Sequence, residues 1–334
     1  MQLQRRKVPE FLFLFPVLII ILMPGIFGLI ENGDFVKTYG FRKPLNTLSQ
    51  NIRFFIFRDK LFNDAYTADH YWWDYLENRS IDDFQNTIPF SEADLEDLQR
   101  RLDHVSQLLQ KKGVKLYVLV APNKATIYPE HLIQDFPKIS TESRLDQLID
   151  YQTHHGVVKV VDVRQVLIAE RKNHNLFLKT DTHWNTFGAF FGYRTLFEII
   201  ARDFPVLQAH ELSSFEFVSH EGKGDLSEMA GSLAVREEIA IQKLIDGPII
   251  SFENENLDIQ SSSTWTDLPR AVIFRDSFFS MLVNYVTPHF SETEIKWTNM
   301  FDESLIDSMK PDIVIMEYAE RYIDAIKRLP NPDE

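Results

Sequence analysis

The chain has no cysteine among its 334 residues. That excludes disulfides, thiolate metal sites and a cysteine nucleophile, and leaves the redox compartment open. Positive charge is in the minority: 35 Lys and Arg stand against 49 Asp and Glu, a formal net charge of -14. Such a surface repels phosphate backbones, so no nucleic-acid partner is expected. No HExxH motif occurs, and His70, His154, His155, His174, His210 and His220 are scattered. A zinc site needs at least three protein ligands, so no metal or other cofactor is expected. Internal repeats and long low-complexity segments are also missing. What remains is an ordinary globular composition, 44% apolar and 25% charged, in a chain long enough to bury a real core.

The N-terminus is distinctive. Arg5, Arg6 and Lys7 precede FLFLFPVLIIILMPGIFGLI, residues 11–30, a run of 20 residues without a charge. That is about the length that crosses a bilayer core. Pro16 and Pro24 are tolerated in membrane helices. The basic flank predicts a cytoplasmic N-terminus at 1–10, a transmembrane signal anchor at 11–30 and the rest outside. A cleaved signal peptide is the rival reading, but the run is long and no small-x-small site follows it. The expectation is a single-pass protein of the cell membrane whose main domain is extracytoplasmic, in the periplasm or outside the cell.

Residues 31–90 form an aromatic-rich N-terminal segment. ADHYWWDYLEN (68–78) places Tyr71, Trp72, Trp73 and Tyr75 in a short span. Such rings serve sugar sites, membrane surfaces or packed strands, and packing is the reading adopted. From Ser91 the pattern turns regular, and residues 91–334 read as one domain. Ser91 and Asp94 have capping-box-like spacing, then Leu95, Leu98, Leu102, Val105 and Leu109 recur at helical spacing before Gly113. KLYVLVAP (115–122) and VVKVVDV (157–163) read as buried strands, with a helix opened by Thr141 between them. Asn185 or Thr186 caps a third helix. RAVIFRDSFFSMLVNYV (270–286) runs from strand to helix, EIKWTN (294–299) reads as a further strand, and DIVIMEYAE (312–320) as a strand leading into a last helix. Alternating strands and helices argue an α/β domain with a mostly parallel sheet covered on both faces. Residues 204–269 read as a loop-rich insertion.

Two places carry candidate chemistry. Ser277 lies just past the strand AVIF, at the carboxyl end where open parallel sheets bind ligands. Helix N–H groups there can meet an oxyanion, although Ser277 or Asp276 can equally be a helix cap. Asp181 and His183, in KTDTHWN (179–185), share a side only if that segment is extended. The pair then suits a base with its orienting carboxylate, two metal ligands, or a polar turn.

These residues resemble the AlgJ and AlgX alginate O-acetyltransferases and related SGNH-hydrolase-like proteins. TDTHWN (180–185) matches the family's TDTHW motif, and Arg275-Asp276-Ser277-Phe278 stands where the family has GDSF. Pro122, Lys124, Tyr128 and Pro129 fit its P-x-K-x-x-x-YP stretch. GDLSEMAG (224–231) is similar to its GDL loop, and Glu317, Glu320 and Arg321 to its E-x-x-E-R ending. The likeness runs from about residue 96 to the end. HYWWDYL stands in place of the family's DGWLF-like segment, and no carbohydrate-binding module is expected after the last helix. The resemblance implies an SGNH-like α/β/α sandwich. It implies Ser277 as nucleophile, His183 as general base and Asp181 as the orienting acid, with Asn123, Lys124, Trp184, Arg275 and Arg321 as substrate or oxyanion candidates. The implied activity is transfer of acetyl groups to an exported polysaccharide through an acyl-serine, with a membrane-bound O-acyltransferase as donor. A carbohydrate esterase and a non-catalytic envelope scaffold are the alternatives.

Overall fold

The structure, a computed structural model, describes residues 47–48, 50–53, 61–62, 65–67, 73–75, 80–158, 160–231 and 236–333. The expected cytoplasmic tail and anchor (1–30), with Tyr71 and Trp72, lie outside the described residues. No helix of the described residues is long and apolar enough to cross a membrane.

Three short strands, β1 (Leu61–Phe62), β2 (Ala65–Thr67) and β3 (Trp73–Tyr75), pair antiparallel ahead of the main domain. Helix α1 (Ser80–Gln85) follows, and Phe84 joins Tyr66, Ala125 and Leu132 in a small apolar cluster beside that sheet. Helix α2 (Glu92–Lys111) starts at a complete capping box, because Asp94 reaches back to the Ser91 N–H while Ser91 Oγ accepts the Asp94 N–H. Strand β4 (Lys115–Ala121), the short helix α3 (Lys124–Ile127) and helix α4 (Arg144–His155) come next. The sequence placed the start of α4 at Thr141. It begins three residues later because Ser143 and Asp146 form a second capping box.

Strand β5 (Val160–Asp162), helix α5 (Arg164–Glu170) and the long helix α6 (Thr186–Asp203) lead into residues 204–269. That region holds more regular structure than expected. Strands β6 (Phe215–Gly222) and β7 (Glu237–Leu244) pair antiparallel and flank the short helix α7 (Asp225–Met229). Strands β8 (Ile250–Glu255) and β9 (Asp258–Ser263) form a hairpin that extends the main sheet. These strands are polar and half-exposed, so they lack the continuous apolar run that marks the central ones. Strand β10 (Arg270–Phe274), a 3-10 turn (Ser277–Met281), helix α8 (Val283–Val286), strand β11 (Glu292–Lys296), helix α9 (Glu303–Met309) and strand β12 (Ile313–Ala319) complete the order. The expected last helix is a kinked 3-10 segment, Glu320–Arg328.

The main sheet has seven strands in the order β5-β4-β12-β10-β11-β9-β8. The first five are mutually parallel, and β9 runs against both β11 and β8, so the sheet is mixed, with a parallel centre. Alternate residues feed two cores. Tyr117, Leu119, Ile273, Ile313 and Ile315 pack against Phe190, Leu196, Phe197 and Ile200 of α6. Val118, Val120, Val272, Val314 and Met316 pack against Leu98, Leu102, Val105 and Leu109 of α2 and against Leu148 of α4. This is the α/β/α sandwich, and its two covered faces explain the unbroken apolar strands. The parallel strands end together on one edge, where Asn123 follows β4, Ser277 follows β10 and Arg321 follows β12.

Leu102 is fully buried between α2 and the sheet. Leu102→Ala is expected to cost about 2–5 kcal/mol through lost burial and a residual cavity. Urea unfolding should show a lower midpoint at an unchanged slope.

Candidate active site

The turn containing Asp181 and His183 is not extended. The Asp181 carboxylate accepts the His183 backbone N–H at 2.9 Å, closing an Asx turn, and accepts His183 Nδ1–H at 2.6 Å through the same oxygen. The two side chains converge because the short carboxylate reaches around the turn. A ring nitrogen 2.6 Å from a carboxylate carries the proton, which leaves Nε2 as an acceptor. The Ser277 hydroxyl donates to that Nε2 at 2.7 Å, across 94 residues of sequence.

Helix capping does not consume Ser277. Asp276 is the cap: its Oδ1 accepts the Phe278 N–H at 2.9 Å and its Oδ2 the Ala319 N–H at 2.6 Å. The backbone N–H of Ser277 donates to no described residue. Beneath the turn, Glu317 is a carboxyl within an otherwise apolar strand, fully buried, and its Oε2 accepts the Asp276 N–H at 3.0 Å. Burial, with the negative charge of Asp276 added, pushes the Glu317 carboxyl well above its usual range.

The histidine turn is clamped from several sides. The Lys124 side chain is buried, and its ammonium donates to the carbonyls of Leu178 (2.7 Å), Lys179 (2.9 Å) and Asp181 (3.1 Å). Burial draws Lys124 down to about 8, against the opposing pull of carboxylates that include Asp74, Glu237, Asp181 and Asp225. Glu237 accepts the N–H groups of Lys179 (2.7 Å) and Thr180 (2.8 Å) and the Thr180 hydroxyl. The start of α7 docks against the same turn: the N–H groups of Leu226 and Ser227 donate to Thr180 O. At Gly224 a β-carbon would lie 2.1 Å from that carbonyl oxygen, so only glycine permits the approach.

Asp225 completes the arrangement. It accepts the Thr182 N–H (2.8 Å) and hydroxyl (2.7 Å), and its own N–H donates to Asp181 Oδ2 at 3.0 Å. Two carboxylates thus flank His183 Nδ1, with Asp225 Oδ2 at 3.7 Å. Burial raises both, but the hydrogen bonds and charge of His183 outweigh it at Asp181, which is held down at about 2. Asp225 is pushed up by burial and by the charge of Asp181. The donor atoms of Asp181, His183 and Asp225 lie within 4.8 Å of one another, the one such group among the described residues that has metal-ligand spacing. All four carboxylate oxygens of the two aspartates already accept N–H or O–H bonds from this turn and from α7. The donor set suits the orientation of a histidine.

The remaining sequence candidates divide. Asn123 is nearly buried, its N–H donates to Glu320 Oε2 (2.8 Å), and Arg321 Nη1 donates to its Oδ1 (3.3 Å). Its Nδ2 donates to no described residue. Arg321 lies over the rings of Phe278 (5.1 Å), Tyr322 (4.9 Å) and Tyr75 (5.8 Å). Asn123, Arg321, Thr182, Asp74 and Tyr75 line one small cavity, so β3 of the aromatic-rich segment walls the site. Lys124 acts through the turn it clamps.

Trp184 is no surface for a substrate. It is fully buried, lies along Gly192 of α6, where a β-carbon would come within 2.9 Å of its ring, and donates Nε1–H to Phe278 O at 2.9 Å. That bond ties the histidine turn to the serine turn. Arg275 also leaves the site: its guanidinium donates to Asp276 O, Ser280 Oγ and Leu257 O and stacks on Trp297. Its φ is not positive, so the backbone does not require the glycine of the family motif. Reasoning from sequence missed Asp225 and Glu237 as supports; the GDL loop was the available signal for the first, and one of two adjacent glutamates in a polar stretch gave none for the second.

Residues 81–248 match the family described as SGNH hydrolase-like domain, acetyltransferase AlgX. A probable alginate O-acetylase AlgJ of Pseudomonas syringae pv. tomato is 32% identical over 102 residues, covering 30% of this chain and 26% of that protein. Its counterpart in Pseudomonas aeruginosa is 34% identical over 95 residues, covering 28% and 24%. The chain therefore spans about a quarter of the length of these relatives. Bacillus cereus PatB1 with a sulfonyl adduct superposes with a TM-score of 0.58 at 16% identity, over 80% of this chain and 100% of that one. Pseudomonas aeruginosa AlgX gives 0.55 at 16%, over 79% and 63%. These two likenesses show the fold. The match across half of the sequence places the chain in the AlgX family of SGNH hydrolase-like acetyltransferase domains.

Proposed function

We propose that the protein is an extracytoplasmic O-acetyltransferase that acetylates hydroxyls of an exported polysaccharide through an acetyl-serine. One observation carries this reading: Ser277 Oγ, His183 and Asp181 are linked by bonds of 2.7 and 2.6 Å at the carboxyl edge of the sheet's parallel centre. Ser277 attacks the acetyl carbonyl while His183 Nε2 takes its proton. The tetrahedral oxyanion is met by the Ser277 N–H and the Asn123 Nδ2–H. Collapse expels the donor's oxygen, which leaves with the proton from His183. An acceptor hydroxyl then gives its proton to His183, attacks the acetyl-serine, and releases Ser277 reprotonated. Asp181 holds the ring tautomer and stabilises the imidazolium. With water in the acceptor's place the same steps make an esterase.

The membership supports acetyl transfer, and the alginate O-acetylases among the relatives support a polysaccharide acceptor. The 20-residue apolar run behind a basic flank supports an anchor at 11–30 with the domain outside, next to a membrane-bound O-acyltransferase as donor. The domain limits proposed are 31–90 for the aromatic-rich segment and 91–334 for the catalytic domain.

Ser277→Ala should lower turnover of a chromogenic acetyl ester by about 10³-fold or more and abolish an acetyl adduct seen by intact mass. Unchanged turnover would end the nucleophile assignment. A chase of the adduct with oligosaccharides separates transfer from hydrolysis. Asn123→Ala should cost about 10²–10³-fold in kcat.

Asp181 also links stability to pH. Its folded pKa, about 2, lies below the ordinary 3.8, so its contribution is complete above about pH 5 and is lost as pH falls through 4 towards 2. The cost of Asp181→Asn, on the order of 2 kcal/mol at neutral pH, should shrink across that window in urea unfolding.

A further inference from the structure

We propose that Trp297 is a stacking platform for one pyranose ring of the acceptor glycan, built and held by Arg275. This rests on the acceptor being a polysaccharide. Strands β10 and β11 run parallel, with Phe274 opposite Lys296, and the Arg275 N–H continues the pairing to Lys296 O at 3.0 Å. Arg275 and Trp297 therefore sit side by side just beyond the strand ends. Ser277 is two residues further along, and Arg275, stacked on the indole, donates to Ser280 Oγ of the same turn at 2.9 Å, so the platform borders the serine turn. That placement suits a sugar ring a short way along the glycan from the reacting hydroxyl.

Trp297 is 38% exposed, and it is supported from within. The buried Arg275 guanidinium lies 4.0 Å from the ring centroid and covers one face. The same guanidinium donates to Ser280 Oγ (2.9 Å) and Asp276 O (3.2 Å) of the serine turn and to Leu257 O (3.0 Å) of the β8–β9 hairpin. The Trp297 N–H donates to Asp258 Oδ1 at 2.8 Å, and Lys296 pairs with Asp258 at 3.2 Å. A large ring fixed in this way loses little conformational freedom when a ligand stacks on it. An apolar ring face beside Asp258 and Lys296 matches a pyranose, which has an apolar C–H face and a hydroxyl rim. The glycine of the family's GDSF motif has no side chain with which to build this support, so the substitution to arginine has a use.

The test employs the full chain carrying Ser277→Ala, so that an acceptor binds without turnover. Affinities for alginate and cellulose hexasaccharides are measured by calorimetry with Trp297, with Trp297→Ala and with Trp297→Tyr. Loss of the ring should weaken the tighter hexasaccharide about tenfold, and tyrosine should restore it to within about threefold. Trp265→Ala, at another exposed tryptophan, should leave the affinity unchanged. Equal affinity with Trp297→Ala, equal losses for alanine and tyrosine, or no binding of either hexasaccharide would overturn the platform. Ser277-dependent adduct formation from the acetyl ester reports on the catalytic reading alone, so the two can fail separately.

Discussion

The bond between His183 Nε2 and the Ser277 hydroxyl is the constraint around which this edge of the protein is organised. It joins two turns that are 94 residues apart and follow different elements. A bond of that length forms only if each turn is held to within a few tenths of an ångström. The histidine turn meets this through Lys124, Glu237 and the start of α7, and the serine turn through both oxygens of Asp276 and the carboxyl of Glu317. Trp184 then bolts one to the other with its indole N–H. Most of these supports are buried, so each carries the penalty of an unsatisfied group if its partner is lost.

The same crowding sorts the two aspartates next to the imidazole. Like charges this close disfavour double ionisation. Asp181 takes the His183 ring N–H and both backbone bonds to its carboxylate, and stays ionised down to about 2. Asp225 has the Thr182 bonds and is pushed the other way. The result is one carboxylate in line with the imidazole and one that acts through hydrogen bonds to the turn. The Lys124 ammonium, with its charge among these acids, contributes mainly by collecting three carbonyls that would otherwise diverge.

Much of this was legible in the residues. The apolar runs at 115–122 and 312–320 gave the central strands because both faces of the sheet are covered, and the Ser91–Asp94 spacing gave the cap of α2. Ser277 was legible as a residue just past a strand, and Asp181 and His183 as a pair. The reason the pair converges was not, since an Asx turn and an extended segment give the same spacing. Strands β6 to β9 stayed hidden because they are polar and exposed, with no alternation strong enough to register. Trp184 read as a substrate or oxyanion candidate because a motif tryptophan says nothing of burial; the glycines at 188 and 192, one turn apart on α6, were the sign that something large lies against that helix.

Strand β12 lies between the strands that carry Asn123 and Ser277, so its end is the one place that can hold both. The chain uses it so. Glu317 and the Ala319 N–H fix Asp276, while Glu320 and Arg321 fix Asn123 by its N–H and its Oδ1. Among the described residues every polar atom of Asn123 has a partner except Nδ2, and in the serine turn the Ser277 N–H likewise donates to none. Two donors without a partner among the described residues thus stand at the ends of β4 and β10, on either side of β12. Under the proposed mechanism they serve as dipoles set in advance for a negative charge that develops only during reaction, where fixed donors need no reorganisation.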